Sequence, residues 1–164
     1  MEAAKKETKQ YLTFRLADET FAVDVAKVLE ILDFTTITKV PRTPDFMRGV
    51  INLRGSVVPV VDLKLKFGLE KTEKTVDTCI IVIEIDMDGE TTVMGSLADK
   101  VEEVLELDPE QIELPPRIGM KLNTDFIRGM GKTGDSFTII LDTDKIFSFE
   151  ECVSLGELGE SAAA

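Results

Sequence analysis

The chain has 164 residues and a formal net charge of −12, from 19 Lys/Arg against 31 Asp/Glu, with no histidine at all. That length suits one domain, at most split into two subdomains, and 43% hydrophobic with 30% charged residues is enough to bury a core. Without histidine the usual general base near neutral pH and the commonest metal ligand are both missing, and a pI near 4.5 argues against nucleic acid and anionic lipid.

Residues 1–9 and 153–164 read as tails around one body spanning 10–152. The Lys- and Glu-rich start has no apolar stretch and so does not read as a signal peptide. The longest strictly apolar run, Cys79-Ile80-Ile81-Val82-Ile83, is far short of the ~20 residues that span a bilayer. A cytoplasmic location without direct membrane insertion is therefore expected. Cys79 and Cys152 form no CxxC motif and read as reduced thiols, although a single disulfide between them is left open.

In chain order, residues 11–16 alternate as a strand, Asp18-Glu19 turns, and Phe21-Ala22-Val23 continues. Thr43, Pro44 and Gly49 suit the cap, first position and left-handed exit of one helical turn around Asp45-Phe46-Met47-Arg48-Gly49. A hairpin then leads into Val57-Val58-Pro59-Val60-Val61, where the proline predicts an edge strand or a bulge. Asp62 caps a short helix over 63–67, closed by Gly68. Residues 79–85 form a buried strand, Asp88-Gly89 a hairpin turn, and 91–97 the returning strand. A second helical turn around Asp125-Phe126-Ile127-Arg128-Gly129 precedes a strand over 137–141 and a short helix over 143–149.

These elements repeat. The first Asp-Phe-x-Arg-Gly block recurs at 125–129, and the register continues without a gap to Asp62 against Asp142 and Phe67 against Phe147. Earlier, residues 22–30 line up with 98–106 at a slightly different spacing, which places an indel between the two stretches. A unit of about half the chain, 10–75 and then 76–152, thus occurs twice. Many short strands with few helices predict a mainly β fold of two small barrels side by side, each from roughly one unit, with strand exchange left open.

Several chemistries fail on spacing. Gly129-Met130-Gly131-Lys132-Thr133-Gly134 matches GxGxxG, but it lies between a turn and a strand where a dinucleotide site needs a strand and then a helix. A phosphate loop would need glycine at Phe126. Asp86, Asp88 and Gly89 begin like a calcium loop whose twelfth residue is Leu97, and Asp142 with Asp144 has Phe147 in place of the required glycine. No GxSxG elbow occurs. A binding module is expected, with no cofactor; nucleotide binding at 129–134 is the rival reading from another class.

Gly49-Val50-Ile51-Asn52-Leu53-Arg54-Gly55, followed by Val58-Pro59-Val60-Val61-Asp62-Leu63, closely resembles the signature of the CheW family of bacterial chemotaxis coupling proteins. Phe21-Ala22-Val23-Asp24, Val28-Leu29-Glu30-Ile31, Ala98-Asp99-Lys100-Val101 and Val104-Leu105 fit the same family, so the likeness covers about residues 10–152. The resemblance implies two five-stranded antiparallel barrels with intertwined strands and a groove between them. It also implies a non-enzymatic scaffold, recruited to receptor arrays at the inner membrane. Its partners would be the cytoplasmic tips of methyl-accepting chemotaxis receptors and the CheW-like regulatory domain of the histidine kinase CheA. The positions matching the receptor site are Val28, Glu30, Ile31, Gly49, Asn52, Arg54 and Val104, and Ile118 matches a kinase-contact loop. An analogous coupling role in a receptor–kinase pathway other than chemotaxis carries the same signature.

Overall fold

The computed structural model describes residues 8–87, 89–113 and 126–146. In the first half, β1 (Lys9–Leu16) and β2 (Glu19–Asp24) form a hairpin, and a 3-10 turn (Val25–Lys27) leads into β3 (Val28–Asp33). Next come β4 (Met47–Leu53), β5 (Ser56–Val61) and the single turn of α1 (Leu63–Lys66). The second half holds the hairpin β6 (Cys79–Met87) and β7 (Glu90–Ala98), then β8 (Lys100–Leu107) and the two-residue β9 (Ile112–Glu113). It continues through β10 (Ile127–Thr133) and β11 (Ser136–Leu141).

Two curled sheets result, and each mixes both halves. One has the order β3-β6-β7-β5-β4, the other β8-β1-β2-β11-β10-β9. Apart from β9 these are the same order of positions with the first hairpin of each half exchanged. The strand exchange that the duplication left open is realised. Two points of the expected barrels change. The second sheet has six strands, and the exchange lays β7 beside β5, and β2 beside β11, in parallel. The sheets are therefore mixed.

Matching registers also revise the repeat alignment. Val60 pairs with Gly95 where Ile140 pairs with Ala22, and Ile31 pairs with Ile81 where Val104 pairs with Leu12. Ala22 thus corresponds to Gly95 and Ile31 to Val104; the likeness of 22–30 to 98–106 is offset by three residues from the true equivalence. Side-chain similarity there misled because both segments are simply apolar residues alternating with charges.

The core lies in three places. β6 is buried on both faces: Cys79, Ile81, Ile83 and Ile85 enter the large cluster between the sheets with Phe14, Leu16, Leu63 and Met94. Ile80 and Val82 enter a smaller cluster inside the five-stranded curl with Ile51, Val58 and Val60. Tyr11, Ala22, Leu107 and Ile140 fill the other curl. Cys79 is a buried free thiol, and burial pushes its pKa up; Cys152 lies outside the described residues.

The predicted helical turn at the first Asp-Phe-x-Arg-Gly block is not helical; in the second, Thr124 and Asp125 lie outside the described residues and Ile127 already begins β10. In the first block Pro44 to Met47 makes a single turn, closed by the Met47 N–H on the Pro44 carbonyl at 2.9 Å. From Met47 the buried residues follow period two, Met47, Gly49 and Ile51, which is the pattern of a strand. Pro59 is in an interior strand, neither at an edge nor in a bulge. Its partner Val50 turns both its backbone groups away, toward Thr38 at 2.9 Å each. Pro59 and Val50 are therefore a non-hydrogen-bonded pair, and the missing N–H faces β7 just before that ladder begins at Val60. Asp62 caps α1 by accepting from the Lys64 N–H at 3.1 Å, and Gly68 closes it at φ +83°, as expected.

Candidate protein-interaction site

β3 is an edge strand of the five-stranded sheet, and β4 is the opposite edge. The curl brings the β4–β5 turn back to β3, where Arg54 donates two hydrogen bonds to Glu30, Nη1 to Oε2 at 2.7 Å and Nη2 to Oε1 at 2.8 Å. This fork-on-carboxylate geometry is the most directional ion pair available to side chains. The hydrogen bonds first, and the charge of Glu30 second, raise the pKa of Arg54. Arg54 is 72% exposed and the Glu30 side chain 25%. The pair thus stands at the surface.

The turn itself is unusual. Arg54 and Gly55 both have positive φ, +51° and +87°, so Leu53 and Ser56 are joined by a two-residue turn of the kind that favours Asn-Gly. A non-glycine residue there pays a steric penalty of about 1–2 kcal/mol in backbone energy. Asn52 holds the turn shut, its Oδ1 accepting the Gly55 N–H at 2.8 Å. In the second half Gly134, at φ +62°, takes the place of Arg54, so only one sheet presents a guanidinium there.

Beside the ion pair β3 alternates strictly, with Leu29, Ile31 and Asp33 exposed and Val28, Glu30 and Leu32 half-buried. Leu29 is 50% and Ile31 44% exposed, which is a large apolar area for a sheet edge. Leu29 was not singled out from sequence; the alternation in Val28-Leu29-Glu30-Ile31 was the available signal. The other positions fall differently. Val28 packs against the large inter-sheet cluster. Gly49 is buried at a bulge of β4, where an added Cβ would overlap the Thr38 carbonyl oxygen and sit 2.8 Å from Ile37 Cγ2. Its φ of +141° belongs to that bulge and not to a helix exit. Val104, 50% exposed, lies on β8, the edge of the other sheet, in the place that Ile31 has in the first. Ile118 lies outside the described residues.

The structure joins Glu30 to Arg54 and places Asn52 in the same turn, while Leu29 and Ile31 stand at the alternate, exposed positions of the same edge strand. Gly49 packs instead against Thr38 and Ile37, Val28 against the inter-sheet cluster, and Val104 stands on the second sheet. The residues 129–134 do not form a cradle. They run through β10 into its turn, and Cβ atoms at Gly129 and Gly131 would meet Ile112 and Leu107. Those glycines make room for packing. Asp86 and Asp144 are both bound by Lys27, at 3.0 and 3.2 Å, and Asp142 caps the turn after β11. Among the described residues no helix is long and apolar enough to cross a membrane.

The family profile described as a CheW-like domain matches residues 10–151. The chemotaxis protein CheW of Klebsiella aerogenes is 34% identical over 153 residues, covering 93% of this chain and 90% of that protein. The protein FrzA of Myxococcus xanthus is 32% identical over 128 residues, covering 78% and 77%. Among solved structures, the scaffolding protein TtCheW from Thermoanaerobacter tengcongensis superposes with a TM-score of 0.77 at 36% identity, covering 92% of this chain and 95% of that one.

Proposed function

The chain belongs to the CheW family, and from that premise we propose that it is a non-enzymatic scaffold joining chemoreceptor tips to the histidine kinase CheA. The observation that carries this reading is the β3 edge strand, which bears a bidentate Glu30–Arg54 pair and, at the alternate positions, exposed Leu29 and Ile31. A helical receptor tip docks on such a surface by burying the aliphatic area, while the paired charges set its register. Asn52 acts by holding the turn that aims Arg54, and Gly49 by allowing the loop around Thr38 to close on β4. Val104 extends the contact onto the second sheet, and Ile118 is our candidate for a kinase contact.

The mechanism is a coupling free energy. The scaffold binds receptor and kinase together, and a receptor state that favours one set of contacts biases the kinase equilibrium by the same amount. Individual contacts can be weak, because an array raises the effective concentration of each partner. Recruitment to receptor arrays at the inner membrane follows from binding alone.

The test is CheA autophosphorylation on receptor-bearing membranes, with and without this chain and with attractant added. Activation that requires the chain and is switched off by attractant is expected. Glu30→Lys and Arg54→Ala should fold normally and abolish that activation, and the exchanged pair Glu30→Arg with Arg54→Glu should restore part of it. Binding to CheA without activation on these receptors would assign the chain to another receptor–kinase pathway. Failure to bind CheA would refute the coupling reading.

A further inference from the structure

Charge is distributed unevenly along this chain. Residues 39–74 hold eight Lys/Arg against four Asp/Glu, while the remainder carries eleven against 27. Part of this basic segment lines an open hollow of about 600 Å³ between the loop that joins β3 to β4 and the end of α1. Lys39, Arg42 and Lys71 stand around it, with Pro41, Pro44 and Leu65 supplying apolar wall. Arg48 is also there, but Asp62 neutralises it at 3.1 Å, and Asp45 is the one acidic residue of the lining.

Two features mark this hollow. First, among the described residues Lys39, Arg42 and Lys71 form no ion pair, in a chain where acids exceed bases 31 to 19. Three like charges are held around one cavity with a single carboxylate to offset them. Second, the frame is pre-organised. Arg42 is kept at φ +62°, a conformation that costs a side-chain-bearing residue energy. Thr43 Oγ1 donates to the Val40 carbonyl at 3.0 Å, and Thr38 is tied to β4 on both sides. Next to Lys71, Thr72 is fastened to Asp62 through its N–H at 2.9 Å and its hydroxyl at 2.8 Å.

We propose that this hollow binds an acidic, extended segment of a partner protein. Carboxylates of the segment pair with Lys39, Arg42 and Lys71, and its aliphatic side chains lie on Pro41, Pro44 and Leu65. The lining favours a peptide over a nucleotide, because no aromatic ring lines it to stack a base and its neutral wall is aliphatic. The Glu30–Arg54 patch is a separate set of residues, so this proposal stands apart from the coupling function.

The probe is a fluorescein-labelled peptide of alternating Glu and Leu, titrated by anisotropy at moderate salt against the full chain. Saturable binding that weakens with added salt is expected. It should persist in Lys100→Glu, which makes the same charge change on an exposed residue of β8. It should fall at least tenfold in Arg42→Glu and vanish when Lys39, Arg42 and Lys71 are all changed to Glu. Arg42→Gly, which relieves the backbone at φ +62°, should melt no lower than the parent and still lose affinity, so a misfolded triple variant does not protect the idea. Equal binding by the parent and the triple variant, or none by the parent, overturns the proposal. So does displacement of the peptide by tripolyphosphate at a lower concentration than by unlabelled peptide. Self-association of the parent that the triple variant abolishes would make the occupant a second copy, and would overturn it as well.

Discussion

Replacing Asp62 by alanine tests how much of this fold rests on a single buried carboxylate. Asp62 is fully buried and accepts from Arg48 Nη1 at 3.1 Å, the Thr72 N–H at 2.9 Å, the Thr72 hydroxyl at 2.8 Å and the Lys64 N–H at 3.1 Å. Asp62→Ala leaves a guanidinium that is only 18% exposed without its counter-charge and two donors of buried Thr72 without an acceptor. Breaking a buried pair from one side costs about 3–5 kcal/mol, a large share of the ~5–15 kcal/mol that holds a typical domain together. The duplication supplies the control. Asp142, the equivalent residue, also caps a turn, accepting from the Asp144 N–H at 3.2 Å, but its neighbour Arg128 reaches instead to Asp24 at 3.9 Å. Among the described residues Asp142→Ala therefore forfeits only a cap, about 0.5–2 kcal/mol. Urea denaturation at neutral pH should show the Asp62 midpoint falling far more than the Asp142 midpoint at unchanged slope. In a thermal scan the first variant should melt about 6–20 °C below the parent. Equal losses at the two positions would refute the reasoning, because the capping bond would then be the whole contribution.

Three further outcomes follow from particular contacts. Gly49→Ala, where a Cβ would overlap the Thr38 carbonyl, should cost more than about 3 kcal/mol, whereas Gly55→Ala, at φ +87° with open space around it, should cost about 1–2 kcal/mol; urea midpoints in the reverse order would dismiss the close approach as the cause. Ser96→Ala should raise stability by about 1 kcal/mol, since the buried Ser96 hydroxyl has no partner among the described residues and Val23 fills the equivalent place in the other sheet; a clear loss of stability would contradict it. The Lys27 hydrogen bond, then that of Thr91, holds the Asp86 carboxyl below its ordinary value, while burial pushes Lys27 down and its bonds to Asp86 and Asp144 outweigh that. A depressed carboxyl stabilises the fold above its unfolded value of about 3.9 and loses that contribution as pH falls through the folded value. The difference in urea midpoint between the parent and Lys27→Met should therefore be present at pH 6 and shrink toward pH 3; a difference independent of pH would show that the clamp is not electrostatic.

The chain's own pattern was enough for the existence of the repeat, for the hairpins and for the caps at Asp62 and Asp142. Paired apolar runs, turn residues and Asp before each short helix are local features, and local sterics and hydrogen bonding decide them. The family signature likewise lies in one contiguous stretch, so its residues could be named without coordinates. Partnership across the fold could not be read this way. That Glu30 meets Arg54 depends on how far one sheet curls, and that Arg48 meets Asp62 while Arg128 turns to Asp24 depends on what packs beside each repeat. The period-two burial of Met47, Gly49 and Ile51 overrode a convincing helical cap at Thr43-Pro44, because the β4 face had a core to fill and one turn of helix did not. The exchange of hairpins between the two sheets is the clearest case. Each half carries the same order of strands, so local preference leaves open which hairpin joins which sheet, and only the tertiary packing, in which β1 and β6 are each buried on both faces, decides it.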